Sequence, residues 1–250
     1  MVKNYKTEAT SSLILKNAKD QQQVDLYSQE GFEMLSNLWI KVAAEFKMMY
    51  EITWLGRPII QFGNDMVMLQ QLLWELKPDI FIETGIAHGG SLIYTASLFE
   101  LIGNNGTVIG IDVEIRPHNR TAIEAHPMFK RIEMIEGSSI DPATIEALEG
   151  YLSEGKVITV MLDSNHSKEH VLKELELYSK YVTVGSYLIV QDGAQEWVAD
   201  IPRGKPEWLE DNPLAAINEF LQTTDDFVID KRYTRLGITS SPSGYLKRVR

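Results

Sequence analysis

The spacing of apolar residues changes character near Pro78. Before it, Leu26, Phe32, Leu35, Leu38, Val42, Phe46 and Met49 recur at helical intervals. They predict a helix over about 22–50 whose stripe packs on a core or on a dimer partner. "TWLGRPIIQFGND" reads as an irregular loop, and Asp65 as the cap of a helix through "MVMLQQLLWELK". After Pro78, short apolar runs alternate with helical segments. "DIFIET", "GTVIGID", "FKRIEMIEG", "KVITVMLD" and "GSYLIVQD" read as strands. Between or after them, "GGSLIYTASLFELIG" (closed by Gly103), "PATIEALEGYL", "SKEHVLKELELYSKY" and "NPLAAINEFLQ" read as helices. Apolar strands separated by helices imply a parallel sheet covered on both faces. Right-handed crossovers then give a doubly wound, Rossmann-like α/β sheet. The ending, "DFVIDKRYTRLGITSSPSGYLKRVR", holds strands without a helix between them, which predicts an antiparallel hairpin at the sheet edge. The expected organisation is a helical extension over 1–77 packed on an α/β domain over 78–250.

Composition narrows the function. A net charge of −11 argues against a nucleic-acid ligand, which needs a basic face. The basic "YLKRVR" reads as solvated surface on an edge strand. No apolar run reaches the roughly 18 residues of a membrane span. The first twenty residues show no signal-peptide cleavage pattern. With no cysteine, disulfides and thiolate metal sites are excluded. A cytoplasmic, oligomeric enzyme is expected.

The chemistry is concentrated in "FIETGIAHGGS". Glycines after a first strand let a ligand approach the backbone, and the next helix offers free N–H groups and a positive dipole end. The nicotinamide fingerprint G-x-G-x-x-G is not met, because Ala87 stands two places beyond Gly85. Glu83 would also repel a pyrophosphate. It suits a ligand with a cationic amino group, as on the methionine end of S-adenosylmethionine. His88 lies inside this turn and counts with the cofactor-facing residues. Asp112, at the second strand end, is placed for ribose hydroxyls. Gly137, Ser138 and Ser139, after the third strand, are placed to border an adenine.

The next strand ends carry acids. Asp163 ends the fourth strand, and Gln191 and Asp192 end the fifth. On one rim, two carboxylates and an amide oxygen form a hard oxygen site suited to Mg²⁺. Such an ion would hold adjacent oxygens of a hydroxylated small molecule and lower a hydroxyl pKa. His166, three residues past Asp163, is placed as a base for the acceptor hydroxyl. Asp163 as a helix cap and His166 as a loop histidine are the bland alternatives. His118, His126 and His170 read as surface residues. The long segment 193–213, with Trp197 and Trp208, is expected to wall the acceptor pocket. Arg57 is expected to face cofactor or substrate.

"LLWELKPDIFIETGIAHGGSL", "VIGIDVEIR", "MLDSNHS" and "LIVQDG" resemble the cephalosporin hydroxylase-like and rhamnosyl O-methyltransferase-like proteins. These belong to the class I S-adenosylmethionine-dependent methyltransferases. The resemblance runs from about Trp54 to the C-terminus. It implies a seven-stranded sheet with an antiparallel terminal hairpin. It also implies a cofactor site over Glu83, Gly85, Gly89, Ser91, Asp112 and Ser139. More distant catechol-type relatives imply metal ligands at Asp163, Gln191 and Asp192, and a base at His166. Gln191 departs from the acid more usual there, and His166 stands where those enzymes have lysine. No iron-oxygenase pattern supports hydroxylation. The expected activity is Mg-assisted O-methyl transfer to a sugar or natural-product intermediate. A nicotinamide oxidoreductase or a non-catalytic cofactor-binding subunit remains the alternative.

Overall fold

The structure, a computed structural model, describes residues 11–16 and 21–250. The remaining N-terminal residues, on which the leader reading partly rests, lie outside them. A short antiparallel pair, β1 (Ser12–Lys16) and β2 (Gln21–Asp25), leads into α1 (Gln29–Glu45). The helix therefore starts later than the periodicity suggests. Ser28 caps it, its side chain accepting from the Gly31 N–H at 3.0 Å.

Of the two seats expected for the bulky stripe of α1, the core of its own chain is not the one it takes. Gly31, Ser36, Ile40 and Ala43 face inward. Phe32, Leu35, Val42 and Phe46 are 42%, 49%, 47% and 74% exposed. Small residues let the helix seat closely on Phe62, Ala194 and Val198, which leaves the bulky stripe facing outward.

β3 (Thr53–Trp54) and β4 (Arg57–Pro58) form a minimal hairpin inside the segment expected to be irregular. Its turn residues Leu55 and Gly56 have φ of 46° and 85°, the left-handed pair that a tight hairpin needs. α2 (Gly63–Leu76) follows, with Phe62 rather than Asp65 at its cap. Asp65 instead points inward from the first turn, where its carboxylate accepts the Ser240 N–H at 2.8 Å.

The domain proper alternates β5 (Ile80–Thr84), α3 (Gly90–Ile102), β6 (Thr107–Asp112), α4 (Pro117–Glu124) and β7 (Ile132–Glu136). It continues through α5 (Pro142–Glu149), β8 (Ile158–Leu162), α6 (Lys168–Tyr178), β9 (Tyr187–Val190) and α7 (Pro213–Phe220). The chain ends in β10 (Phe227–Ile229) and β11 (Tyr245–Arg248). The seven-stranded sheet has the order β10-β11-β9-β8-β5-β6-β7. Its strands are parallel from β7 to β9, and β11 is antiparallel to both neighbours. The doubly wound sheet and antiparallel ending agree with the sequence. One correction concerns the edge: "YLKRVR" lies between β9 and β10, so β10 is the outer strand. There Arg248 donates to the Val182 carbonyl at 2.6 Å instead of being free surface.

Alternate residues of each strand enter opposite cores. Phe81, Val108, Met161 and Ile189 pack under α2 and α3. Ile82, Ile109, Val160 and Leu188 pack under α6 and α7. This two-residue period explains why continuous apolar runs mark the buried strands. The parallel strands also point their C-terminal ends to one rim.

Candidate active site at the strand C-terminal rim

The turn after β5 is built around backbone. Gly85 has φ of 91°, and a Cβ there would lie 2.0 Å from the Asp163 carbonyl oxygen. A Cβ on Gly90 would lie 2.0 Å from the Pro58 carbonyl. The turn is thus pressed between the β8 end and the β4 strand. Asp112 accepts the Ile86 and Ala87 N–H groups at 2.8 and 3.1 Å. Asn119 donates to the Ala87 carbonyl at 2.8 Å, and Arg57 Nε donates to the His88 carbonyl at 3.0 Å. Arg57 therefore holds the turn from behind instead of facing a ligand. Asn119 was missed because α4 was not recognised; Pro117 at its first position was the available signal.

Glu83 is fully buried. Its Oε1 accepts the Ser91 hydroxyl, and its Oε2 finds no partner within the protein. Burial pushes its pKa up to about 8. An orphaned buried carboxyl oxygen below the turn fits a ligand bearing a cationic amino group.

Three cavities meet at this rim. One of about 190 Å³ lies over Gly85, Ala87, His88 and Ser91, and reaches Asp163. A second, of about 610 Å³, is lined by Asp112, Ser138, Ser139, Ser164 and His170. A third, of about 490 Å³, is walled by Ile40, Tyr50, Gln61, Phe62 and Trp208. Gly89 is buried beneath the turn, where a Cβ would strike Ile123. The structure thus brings Gly85, His88, Ser91, Asp112, Ser138 and Ser139 to two adjoining cavities, with Glu83 and Gly89 behind them. Trp208 lines the third cavity; Trp197 packs in the neighbouring apolar cluster.

His170 departs from the surface role expected of it. Its Nε2 lies 3.1 Å from the Ser139 hydroxyl and 3.2 Å from that of Ser164. Ser164 also donates to the buried Glu174 at 2.8 Å. His118 is exposed, and His126 bonds the Leu55 carbonyl at 3.1 Å.

Around His166, which lines all three cavities, one ligand atom each from Asp163, His166 and Asp192 lies within 4.8 Å of the others. His166 Nε2 is 3.1 Å from Asp192 Oδ2. Asp192 has φ of 57°, a strained conformation for a non-glycine residue that turns its carboxylate at the β9 end. Desolvation, then repulsion from Asp192, Glu83 and Glu174, raises the Asp163 pKa well above the carboxylate range. A cation would relieve this crowding, and the donor set fits a hard divalent ion. Gln191 is placed elsewhere. Its Oε1 accepts the Ser240 and Ser241 hydroxyls at 3.0 and 2.5 Å, and its Nε2 faces Met161 sulfur at 3.1 Å. Its amide is committed to the core instead of to the acidic cluster.

A family model described as Rhamnosyl O-methyltransferase/CmcI matches residues 46–249. Rhamnosyl O-methyltransferase of Mycobacterium tuberculosis H37Rv is 32% identical over 206 residues, covering 78% of either chain. That of Mycobacterium leprae is 30% identical over 200 residues, covering 78% of this chain and 82% of its own. Among solved structures, CmcI in a form described as Mg-SAM aligns with a TM-score of 0.57 at 21% identity, covering 80% of this chain and 78% of its own. The O-methyltransferase TomG from Streptomyces achromogenes, in complex with SAM, aligns at 0.53 and 11% identity, covering 86% and 90%.

Proposed function

Because the chain belongs to the rhamnosyl O-methyltransferase/CmcI family, we propose that it transfers a methyl group from S-adenosylmethionine to a hydroxyl of a small molecule, a sugar or natural-product intermediate. The observation that carries this reading is the convergence of three cavities on His166, with Asp192 lining two of them and Asp163 lining one. The nucleoside belongs in the cavity of Asp112, Ser138, Ser139 and His170, and the methionine end in that of Gly85, His88 and Ser91. The cofactor supplies a methyl group made electrophilic by the adjoining sulfonium. Asp112 is shared between the turn and the ribose, so it fixes one against the other. Glu83 and the N-terminus of α3 complement the amino and carboxylate groups.

The acceptor occupies the cavity behind Trp208, whose indole offers an apolar face to a sugar ring. Asp163 and Asp192 hold a Mg²⁺ ion, with Gln191 steadying the β9 end from the core. The ion supplies charge that lowers a hydroxyl pKa. His166 takes the hydroxyl proton. With its Nε2 proton directed to Asp192, the free Nδ1 is the accepting atom. Most of the acceleration comes from fixing nucleophile and methyl in line.

The nicotinamide alternative is set aside by the family assignment. Among the described residues, no helix is long and apolar enough to cross a membrane. The outward stripe of α1 supports the expectation of a homo-oligomer.

The test is a transfer assay with methyl-labelled S-adenosylmethionine, Mg²⁺ and methyl α-L-rhamnopyranoside, beside calorimetric titration with S-adenosylhomocysteine. Micromolar binding and label in the sugar, lost with EDTA, are expected. Absence of binding in a folded sample sinks the cofactor reading. Label transfer insensitive to EDTA sinks the metal.

A further inference from the structure

The partition between the turn cavity and the acceptor cavity is formed by Tyr50, Ile60, Gln61, His166 and Asp192, which line both. Within it, Gln61 stands apart. The residue is 4% exposed, yet neither its Nε2 nor its Oε1 has a hydrogen-bond partner within the protein. Other buried polar groups of this region are better answered: Gln191 binds Ser240 and Ser241, and Asp65 binds Ser240 through Oδ2, although its Oδ1 is also unpaired. The backbone around Gln61 is also fixed. Ile59 and Phe62 are buried on either side, and the Ile59 N–H is bonded to the Ile52 carbonyl at 3.0 Å. An amide shut away from water with both ends unpaired destabilises the fold that holds it. The residue lines two cavities, and a ligand bound there would complete its amide.

We propose that Gln61 is the residue that positions the acceptor and sets its class, which is a vicinal diol. Nε2 donates to one oxygen of the pair, and Oε1 accepts from the hydroxyl of the other. This places the diol between Gln61 on one side and His166 with Asp192 on the other, with one oxygen turned toward the methyl-bearing cavity. The cofactor's charged end already has an acid in Glu83 and helix N–H groups at Gly90, whereas a neutral amide matches neutral hydroxyls. The inference rests on the methyl-transfer reading above.

Gln61→Met keeps the length of the side chain and removes both polar ends, so three readouts can be compared with the wild type. The first is the melting midpoint of the ligand-free protein, and the second is calorimetric affinity for S-adenosylhomocysteine. The third is methyl transfer in Mg²⁺ to methyl α-L-rhamnopyranoside and catechol, both vicinal diols, with phenol as the single-hydroxyl control. The midpoint should rise by about 2–4 °C, and homocysteine-nucleoside affinity should stay within about twofold. For the diols, kcat/KM should fall about 10- to 100-fold, mainly through KM, while phenol, which meets only one end of the amide, should fall by no more than about threefold. Unchanged diol kinetics would overturn the proposal. So would a lowered midpoint, which marks a structural amide, or a roughly tenfold loss of S-adenosylhomocysteine affinity, which assigns Gln61 to the cofactor. A wild type that binds S-adenosylhomocysteine but methylates none of the three probes refutes the acceptor class itself, a result distinct from any change confined to the variant.

Discussion

On the turn side of the rim, the backbone polar groups are answered from within the chain, and the Glu83 Oε2 below them is left open. Asp112 holds the Ile86 and Ala87 amides, Asn119 holds the Ala87 carbonyl, and Arg57 holds that of His88. Along the partition and at Asp163 beside it the pattern reverses. Gln61 is unpaired, His166 and Asp192 keep side chains 38% and 44% exposed, and Asp163 sits among other carboxylates. The contrast separates two ways of recognising a ligand. A cofactor met by backbone requires a loop already fixed, because a loop that must be ordered on binding surrenders affinity. An acceptor that must be aligned for reaction is met by side chains whose pairing it completes. The first arrangement stabilises the empty protein, and the second strains it.

The largest effect should come from the strained side. Asp163→Ala is expected to lower single-turnover methyl transfer by about 10³-fold or more, as for loss of a principal electrostatic group. S-adenosylhomocysteine affinity should change only a few-fold, since Gly85 packs on the Asp163 backbone and not on its side chain. A matching loss of affinity would mean that the two sides are not separable. Gly85→Ala should do the opposite. The added Cβ meets a carbonyl, and the residue must hold φ of 91°. A drop of about 3 °C or more in melting midpoint and about tenfold weaker S-adenosylhomocysteine binding are expected. An alanine variant with wild-type binding would show that the turn is more pliable than its geometry implies.

The smallest effect concerns pH. Glu83 keeps its proton in the folded protein up to about pH 8, whereas the unfolded chain loses it near 4.5. Between these values the unfolded state binds fewer protons, so stability falls as pH rises. Below 4.5 both states are protonated and Glu83 contributes no slope. Glu83→Gln should flatten the decline in melting midpoint between pH 5 and 8 without abolishing it. Asp65, raised by burial to about 6, contributes to the same trend. Parallel curves for wild type and variant would show that Glu83 is ionised in the fold.

The sheet was legible because its strands are buried on both faces, as in "IFIET" and "ITVML". Their terminal acids were legible too, since a parallel sheet must point Asp112, Asp163 and Asp192 to one rim. What remained hidden follows from physics that a linear pattern does not carry. α4 was missed because its polar sequence offers a stripe of little more than Ile123. Which face of α1 seats on its own chain was not legible, because bulky residues dominate a periodicity, while small ones decide how closely a helix can seat. Gln191 was expected on the rim by its position, but the direction of an amide depends on Ser240 and Ser241, some fifty residues away. Gln61 and His170 had no periodic or motif signal. Only burial beside a cavity distinguishes them.

The insertion of β11 between β9 and β10 also sets an order of assembly. Ser240 and Ser241, which brace Asp65 and Gln191, lie just ahead of that strand. Until residues 240–248 have been synthesised, the apolar β9 strand has an open edge and Gln191 has lost both hydroxyl donors. A growing chain therefore carries its parallel half with an unsealed flank that invites chaperones or misassociation. Residues 240–248 close the sheet and brace the candidate rim in the same event, so neither is complete without the other.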